Sequence, residues 1–428
     1  MMSQDFPRFD MAKPPRRTAW YLHPLTILLS LPAVIRHRAR ITRTGVEGLK
    51  PPYVLLCNHN AFQDFKVATK AIWPARANYV VAIDGFIGRE WLLRQVGCIC
   101  KRKFTNDATL VKNLRRTIQH GDIAVIYAEA RYSLCGTTAV LPESLGKLCR
   151  FLKVPVVTLM CHGHHINSPF WNLHDRGVAP TEAEMRLLFI PEDLRELPLD
   201  EINRRIVAAF QYDDYAWQKE RGIRVTYQGR AEGLHKVLYK CPACHAEFRM
   251  SSAGRELACE ACGKRWEYTE LGELQAKAGE TEFSHIPDWY EWERACVREE
   301  VRSGTYSTGE LKVVVDTLPN AKRFIRLGEG TLVHDMTGFH VKGTDADGDP
   351  FAMEKPVESL YSCHIEYDYL GKHGDCVDLN TLTDTWYIYP DASPTSPGFS
   401  VTKMALATEE LYFAWREAQG RPCPPGLA

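Results

Sequence analysis

YVLLCNHNAFQD, Tyr53 to Asp64, runs from an apolar stretch through a polar turn to a histidine–aspartate pair. "YVLL" is short and apolar, as a buried strand requires. Asn58 and Asn60 suit the turn that follows, because Asn caps helices and tolerates tight turns. His59 and Asp64 are five positions apart, which on a regular α-helix leaves them about 140° apart. They meet only if His59 lies in a strand-to-helix loop and Asp64 in the first helical turn. An imidazole so held has a fixed tautomer and can take a proton from a hydroxyl attacking a carbonyl. The plain alternative is a helix cap beside a stray imidazole, and H-x-x-x-x-D alone does not decide between them.

The alternation continues outward. "ANYVVAI", "GDIAVIYAE" and "VPVVTLMC" read as further strands, with "FKVATKAIWP", "REWLLRQVG" and "DATLVKNLRRTIQHG" as helices between them. Strand–helix alternation over residues 50–165 predicts an α/β layer fold with a largely parallel sheet. In such folds active sites sit in loops beyond the carboxyl ends of strands, where "NHN" and "EARYS" fall. Residues 185–230 read as helical around "PEDLRELPLDEINRRIVAAF".

Composition excludes little but is informative. The 428 residues suffice for two or three domains, and Lys+Arg and Asp+Glu are both 53. No global basic field or basic stripe argues for nucleic acid. Local charge sits at the start, where "PPRR" and "RHRAR" flank the apolar segment Trp20–Ile35. That segment is shorter than the roughly 20 residues of a bilayer span. Pro24 and Pro32 also disfavour one straight helix. The arginines, Trp20 and Tyr21 suit a segment lying in a membrane interface; a core-packing helix is the alternative. "AVIRHRAR" after "LTILLSLP" offers no small-x-small cleavage site for a signal peptide.

Four blocks in order carry a resemblance: "NHNAFQD", "GCICKRK" from Gly97, "YAEARYS" from Tyr127 and "VPVV" from Val154. They resemble the motif blocks of the glycerolipid acyltransferases, the 1-acylglycerol-3-phosphate (lysophosphatidic acid) acyltransferase family, over roughly residues 20–210. Asn58, His59 and Asp64 match the first block N-H-x-x-x-x-D. Gly97, Ile99, Arg102 and Lys103 fit the second. Glu129 and Ser133 match the third, which resembles F-P-E-G-T-R-S. Here Tyr127 replaces Phe, Ala128 and Ala130 replace Pro and Gly, and Tyr132 stands at the arginine position with Arg131 one place earlier.

The resemblance implies acyl transfer from acyl-CoA or acyl-carrier protein to a hydroxyl of a lysophospholipid, most simply 1-acylglycerol-3-phosphate, in phospholipid biosynthesis. His59 would be the general base and Asp64 its orienter. Asn58, Gly97, Glu129, Arg131 and Ser133 would contribute to the substrate site, and Arg102 and Lys103 would hold a phosphate. The expected place is the cytoplasmic face of a membrane, peripheral or monotopic. A non-catalytic lipid-binding or scaffold protein on the same fold is the alternative; the intact His59–Asp64 pair argues against it.

Fourteen cysteines divide into ten scattered thiols, which fit a reducing compartment, and two C-x-x-C pairs. Cys57, Cys98 and Cys100 read as small buried side chains rather than nucleophiles. Cys241–Cys244 and Cys259–Cys262 form two knuckles that present four thiolates to one ion, zinc or a single iron. The pattern resembles a zinc ribbon of the rubredoxin-like kind, with a structural metal. "CHGHH", Cys161–His165, reads instead as a loop after a core strand, with no carboxylate partner evident.

From about residue 310, "LKVVVDTL", "RFIRLG", "GTLVHD", "GFHVKG", "SLYSCHIEYDYL", "DCVDLN" and "TWYIYP" read as seven short strands. Turn signals such as "DADGD" and "GKHGD" separate them, and "VTKMALATEELYFAWREA" closes the region as a helix. This predicts a small β-barrel or sandwich with a helical plug, loosely resembling a pleckstrin-homology-like fold. The expected layout is a membrane-associating segment at 1–40, an acyltransferase domain at 41–232 and a zinc ribbon at 233–275. A helical linker at 276–309 and a β-rich domain at 310–420 follow.

Overall fold

The computed structural model describes residues 6–371, 374–390 and 399–421. The start of the 1–40 segment, part of the "GKHGD" turn and a stretch before the last helix lie outside the described residues.

Seven strands form the first sheet: β1 (Arg40–Thr44), β2 (Val54–Cys57), β3 (Ala77–Ala82), β4 (Ile99–Lys101), β5 (Ile123–Tyr127), β6 (Val156–His162) and β7 (Glu182–Phe189). Their order is β1-β7-β6-β2-β5-β3-β4, and every neighbouring pair is parallel except β6 with β7. β2 lies at the centre and is buried throughout, which is why it reads as an unbroken apolar run. Val54 and Leu56 belong to one core, and Leu55 and Cys57 to another, as the two-residue strand period dictates.

The helices of this half are α1 (His23–Arg36), α2 (Asp64–Ile72), α3 (Glu90–Gln95), α4 (Ala108–Gln119), α5 (Ser144–Leu152), α6 (His164–Asn167), α7 (Pro191–Glu196), α8 (Leu199–Ala209) and α9 (Asp214–Glu220). Two sequence readings need correction. Residues 185–189, expected helical, are the end of β7, whose alternating buried positions fit a strand. The prolines do not break α1: Pro24 occupies the first turn, where a missing N–H is harmless, and Pro32 is carried inside the helix.

The cysteine module is a four-stranded antiparallel sheet of β8 (Met250–Ala253), β9 (Glu256–Cys259), β10 (Arg265–Tyr268) and β11 (Leu274–Ala276). The stretch expected as a linker holds α10 (Ile286–Arg302), which buries Ile286, Trp289, Val297 and Val301. These side chains share one continuous apolar cluster with the cysteine module and the last domain.

The C-terminal strands are β12 (Leu311–Thr317), β13 (Ile325–Asp335), β14 (Gly338–Asp345), β15 (Pro350–Pro356), β16 (His364–Glu366), β17 (Cys376–Asn380) and β18 (Thr385–Pro390). Seven strands were expected, but they are divided differently. "RFIRLG" and "GTLVHD" are one long strand, β13, and β15 had not been anticipated. Gly328 and Gly330, at the break expected between those two strands, lie inside β13, where a Cβ would run into the carbonyl oxygens of Thr344 and Lys342 on β14. The strands form one antiparallel sheet, β15-β14-β13-β12-β18-β17-β16, with β15 and β16 at its edges. Among the described residues it is an open sheet rather than a closed barrel. α11 (Val401–Ala418) packs against it and α10, buried along most of its length.

The N-terminal segment divides in two. Phe9 and Arg8 are tied to Pro319 and Asp384 of the C-terminal domain. From Trp20 onward, α1 packs on α2 yet leaves Trp20 78% and Leu28 63% exposed.

Candidate active site

β2 ends at Cys57 and α2 starts at Asp64, so His59 falls in the loop between them. There His59 Nδ1 lies 3.0 Å from Asp64 Oδ2. The same oxygen accepts the backbone N–H groups of Asn60 at 2.6 Å and Ala61 at 3.0 Å, which folds the loop over the carboxylate. With Nδ1 taken, Nε2 is the nitrogen left for a substrate.

Asp64 has a second imidazole that the sequence reading missed. His164 Nδ1, from the "CHGHH" stretch at the end of β6, lies 2.6 Å from Asp64 Oδ1. The carboxylate partner not evident in the sequence is therefore Asp64, supplied by the first turn of the helix that follows the neighbouring strand. Burial alone would raise the Asp64 pKa; hydrogen bonds from His164 and His59, and their charges, outweigh it and hold it at about 2. Asp64, Cys161 and His164 place three potential metal-ligating atoms within 4.8 Å of one another. The Asp64 oxygens already accept four N–H groups, so the trio fits a hydrogen-bonded network better than a metal centre.

His59 lies between two tyrosines. Its ring centroid is 4.2 Å from that of Tyr127 and 4.2 Å from that of Tyr132. These are two of the departures in the third block, so Tyr132 flanks the imidazole where the family pattern has arginine. The two aromatic rings confine the imidazole between them.

The remaining expected residues order the loops. Glu129 is fully buried and accepts the backbone N–H groups of His59 at 2.6 Å and Ala139 at 2.8 Å. Burial pushes its carboxyl up to about 8, against those N–H groups and Tyr212. Ser133 donates its backbone N–H to the His59 carbonyl and its hydroxyl to Thr137. Asn58 bonds both ways with the Cys161 backbone, joining the ends of β2 and β6. Gly97 has a φ of +84°, and a Cβ there would meet Asn78 and the Arg16 carbonyl, so the glycine is required by the backbone. Ala130 has a φ of +57°, a left-handed conformation that costs a non-glycine residue about 1 kcal/mol. The family pattern has glycine there.

Two expected phosphate ligands are otherwise engaged. Arg102 is buried and donates to the carbonyls of Leu318 and Pro319 and to Thr385 Oγ1. It anchors the C-terminal domain, which corrects the reading of it as a phosphate ligand. Lys103 Nζ lies 2.9 Å from His364 Nε2, with Asp84, Glu366 and Asp378 at 3.6–3.8 Å.

Arg131 pairs with Glu409 of α11 at 2.6 Å, and Glu409 also accepts from Arg294 and Ser362. Arg131 Nη1 is buried with no hydrogen-bond partner among the described residues. Its burial opposes the charge, but Glu409 holds the guanidinium cationic. Glu409→Ala would leave two buried arginines without their shared carboxylate. The expected loss is about 3–5 kcal/mol of stability, the cost of breaking a buried pair. Chemical denaturation of the variant checks this; a midpoint equal to that of the unaltered protein would show that the network is not needed.

His59, Phe62, Tyr127 and Tyr132 line a cavity of about 1380 Å³ that is mostly apolar. One part of its wall comes from α1 and the residue before it, through Leu22, Leu25 and Leu29. Another comes from the C-terminal domain, through Tyr361, His364, Glu366 and Tyr369. The buried thiols of Cys57 and Cys100 and the half-buried thiol of Cys98 are pushed up in pKa by loss of solvation, which argues against a nucleophilic role.

At the cysteine module, Sγ of Cys241 is 3.8 Å from that of Cys262, and Sγ of Cys244 is 3.7 Å from that of Cys259. All four Sγ atoms lie within 4.8 Å of one another. A disulfide needs about 2.05 Å. Four thiolates at about 2.3 Å from a tetrahedral ion stand roughly 3.8 Å apart, so the spacing fits such an ion. Each knuckle closes with a left-handed residue after its second cysteine, His245 at φ +61° and Gly263 at φ +76°.

Residues 36–162 match the family model described as Acyltransferase. Comparison with curated proteins gives no match. Among solved structures, the 1-acyl-sn-glycerophosphate (LPA) acyltransferase PlsC from Thermotoga maritima is similar at 13% identity and a TM-score of 0.33, over 40% of this chain and 70% of that one. The matched residues contain the first three sequence blocks and the fourth, Val154–Val157. The similarity to the Acyltransferase family model thus covers the segment that holds His59, Asp64 and Glu129.

Proposed function

We propose that this protein transfers an acyl group from the thioester of acyl-CoA or acyl-carrier protein to a hydroxyl of a lysophospholipid, in phospholipid biosynthesis. The observation that carries the reading is the His59–Asp64 pair opening on a large, mostly apolar cavity in the acyltransferase-matching segment. His59 Nε2 takes the acceptor's hydroxyl proton as its oxygen attacks the thioester carbonyl. The new C–O bond forms, the C–S bond breaks, and the leaving thiolate takes the proton back from the imidazolium. A thioester is already activated, so no acyl-enzyme is needed. Asp64 fixes the ring and stabilises its cation; Tyr127 and Tyr132 flank it. The simplest acceptor is 1-acylglycerol-3-phosphate. Thiol release from acyl-CoA with a panel of lysolipids tests the reading, and no release with any of them would overturn it.

Cys241, Cys244, Cys259 and Cys262 would hold one structural zinc, or an iron in its place. Bound there, the metal ties two loops together and takes no part in the transfer.

The protein would work from the cytoplasmic face of a membrane. No described helix is long and apolar enough to cross one. Trp20, Tyr21, Leu28 and Leu29 are exposed together, and Leu25 and Leu29 of the same helix line the cavity. An acceptor's chain could then pass from the bilayer to His59 beside α1. Trp20 and Leu28 do not line the cavity. Trp20→Glu with Leu28→Glu is expected to weaken vesicle binding by well over about tenfold, since each buried large apolar side chain contributes about 1.5–3 kcal/mol. Sedimentation with anionic vesicles measures this. Turnover of detergent-dispersed acceptor should persist, and unchanged vesicle binding would refute the surface.

A further inference from the structure

Part of the cavity wall is polar. Asp84 and Lys103 from the first domain face His364 and Glu366 from the C-terminal sheet, and all four line the cavity. Asp378 stands behind them, buried, 3.3 Å from His364 Nδ1. A chain of ring contacts links the cluster to the reacting ring. Tyr132 packs on His59 on one side and on Phe170 on the other, and Phe170 packs on His364.

Charge does not balance there. Lys103 is the one cation of the group, against Asp84, Glu366 and Asp378 at 3.6–3.8 Å. His364 adds no charge: its Nε2 accepts from Lys103, which leaves the hydrogen on Nδ1, and burial lowers its pKa. Glu366 is pushed up to about 8 by burial, with Asp84 and Asp378 adding to the shift and Lys103 opposing it.

Hydrogen bonding is also incomplete. Among the described residues, Asp378 Oδ1 is buried without a hydrogen-bond partner, and Oδ2 meets His364 Nδ1 at 3.3 Å and Lys103 Nζ at 3.6 Å, longer than well-made hydrogen bonds to a charged group. His364 and Asp378 are each 2% exposed. A purely structural clamp between two domains would satisfy such groups, because each left unmade costs about 1–3 kcal/mol. Among the described residues the site is short of donors and of positive charge beyond Lys103, and an ammonium group supplies both.

We propose that the cluster of Asp84, His364, Glu366 and Asp378 is a head-group subsite that takes an ammonium group carried by the acceptor lipid. This rests on the acyl-transfer reading and gives its acceptor a chemical class. It also gives the C-terminal domain a task, since Glu366 and His364 belong to β16. Phosphate would find the opposite of what it needs at this wall: Lys103 is already surrounded by carboxylates, and Arg102 is turned into the sheet.

The test uses the full chain and matched acceptors that differ by one ammonium. One pair is lysophosphatidylethanolamine against the ethyl ester of 1-acylglycerol-3-phosphate. The other is an alkyl ether of aminopropanediol against the same ether of glycerol. kcat/KM is measured by thiol release from one acyl-CoA, and Kd by displacement of a fluorescent fatty acid. In each pair the ammonium-bearing lipid is expected to win by about tenfold or more, one charge-assisted contact's worth. Glu366→Gln should cut that ratio toward one at an unchanged melting temperature. Asp84→Asn, on the other wall, serves if the first variant does not fold. Equal or reversed preference in both pairs, or a ratio that survives both substitutions, overturns the subsite. Absence of thiol release with every acceptor would sink the transfer reading instead. The Kd ratio, which needs no catalysis, would still decide the subsite.

Discussion

Purified His59→Ala protein is expected to lose acyl transfer by about 10²–10⁴-fold while keeping its melting temperature, the range general-base catalysis contributes. The His59 side chain is 22% exposed, and its ring contacts are with the two flanking tyrosines and Asp64. Asp64→Asn should lower kcat strongly as well. The buried amide would keep a neutral contact to His59 but could no longer stabilise an imidazolium. His164 separates positioning from catalysis. It does not line the cavity, yet it is one of four donors to Asp64. His164→Leu removes a hydrogen bond to a charged group, about 1.5–3 kcal/mol, so kcat should fall roughly tenfold to a hundredfold with KM little changed. Asp64 would no longer be held at about 2, so it would take up a proton at higher pH and the acidic limb of the pH profile would move up. Normal turnover of well-folded His59→Ala protein would end the mechanism. A His164→Leu enzyme with the original pH profile would leave His164 a packing residue.

Stripping metal from the cysteine module should unfold much more than the module. Cys241 and Cys259 are buried in the apolar cluster that also holds Trp266, Trp289 and side chains of β12, β18 and α11. Structural zinc binding amounts to about 10–16 kcal/mol in isolated zinc fingers, comparable with the roughly 5–15 kcal/mol total stability of a domain. Elemental analysis should give one metal per chain. Chelation, or Cys259→Ser, should change the fluorescence of Trp266 and Trp289, whose rings are 5.1 Å apart, and lower the melting temperature of the C-terminal half. A metal content near zero, or mass evidence for disulfides among the four cysteines, would remove the ion from this account.

Much of the candidate site was legible because its signals are local. "YVLL" before "NHN" reads as a central strand because both faces of β2 are buried, and the loop-then-helix placement of His59 and Asp64 follows from five residues not fitting one helical face. The two C-x-x-C knuckles are equally local. "RFIRLG" and "GTLVHD" misled for a local reason too: glycine marks turns far more often than it marks a close approach of two strands, and only the position of β14 distinguishes the cases.

The sequence by itself determined the strand–helix alternation, the pairing of His59 with Asp64 and the thiolate geometry, because each depends on residues within one turn, one loop or one hairpin. Tertiary structure alone decided what surrounds them. Val157 and its neighbours pair β6 beside β2, and that register brings His164 onto Asp64 from 100 positions away. The C-terminal domain takes Arg102 into its backbone, ties Arg131 through Glu409, and rings Lys103 with carboxylates from β16 and β17. A charged side chain is assigned its partner by whatever surface is packed over it, and burial makes that assignment binding, since an unpaired charge cannot remain there. No periodicity or motif records which distant carboxylate will arrive.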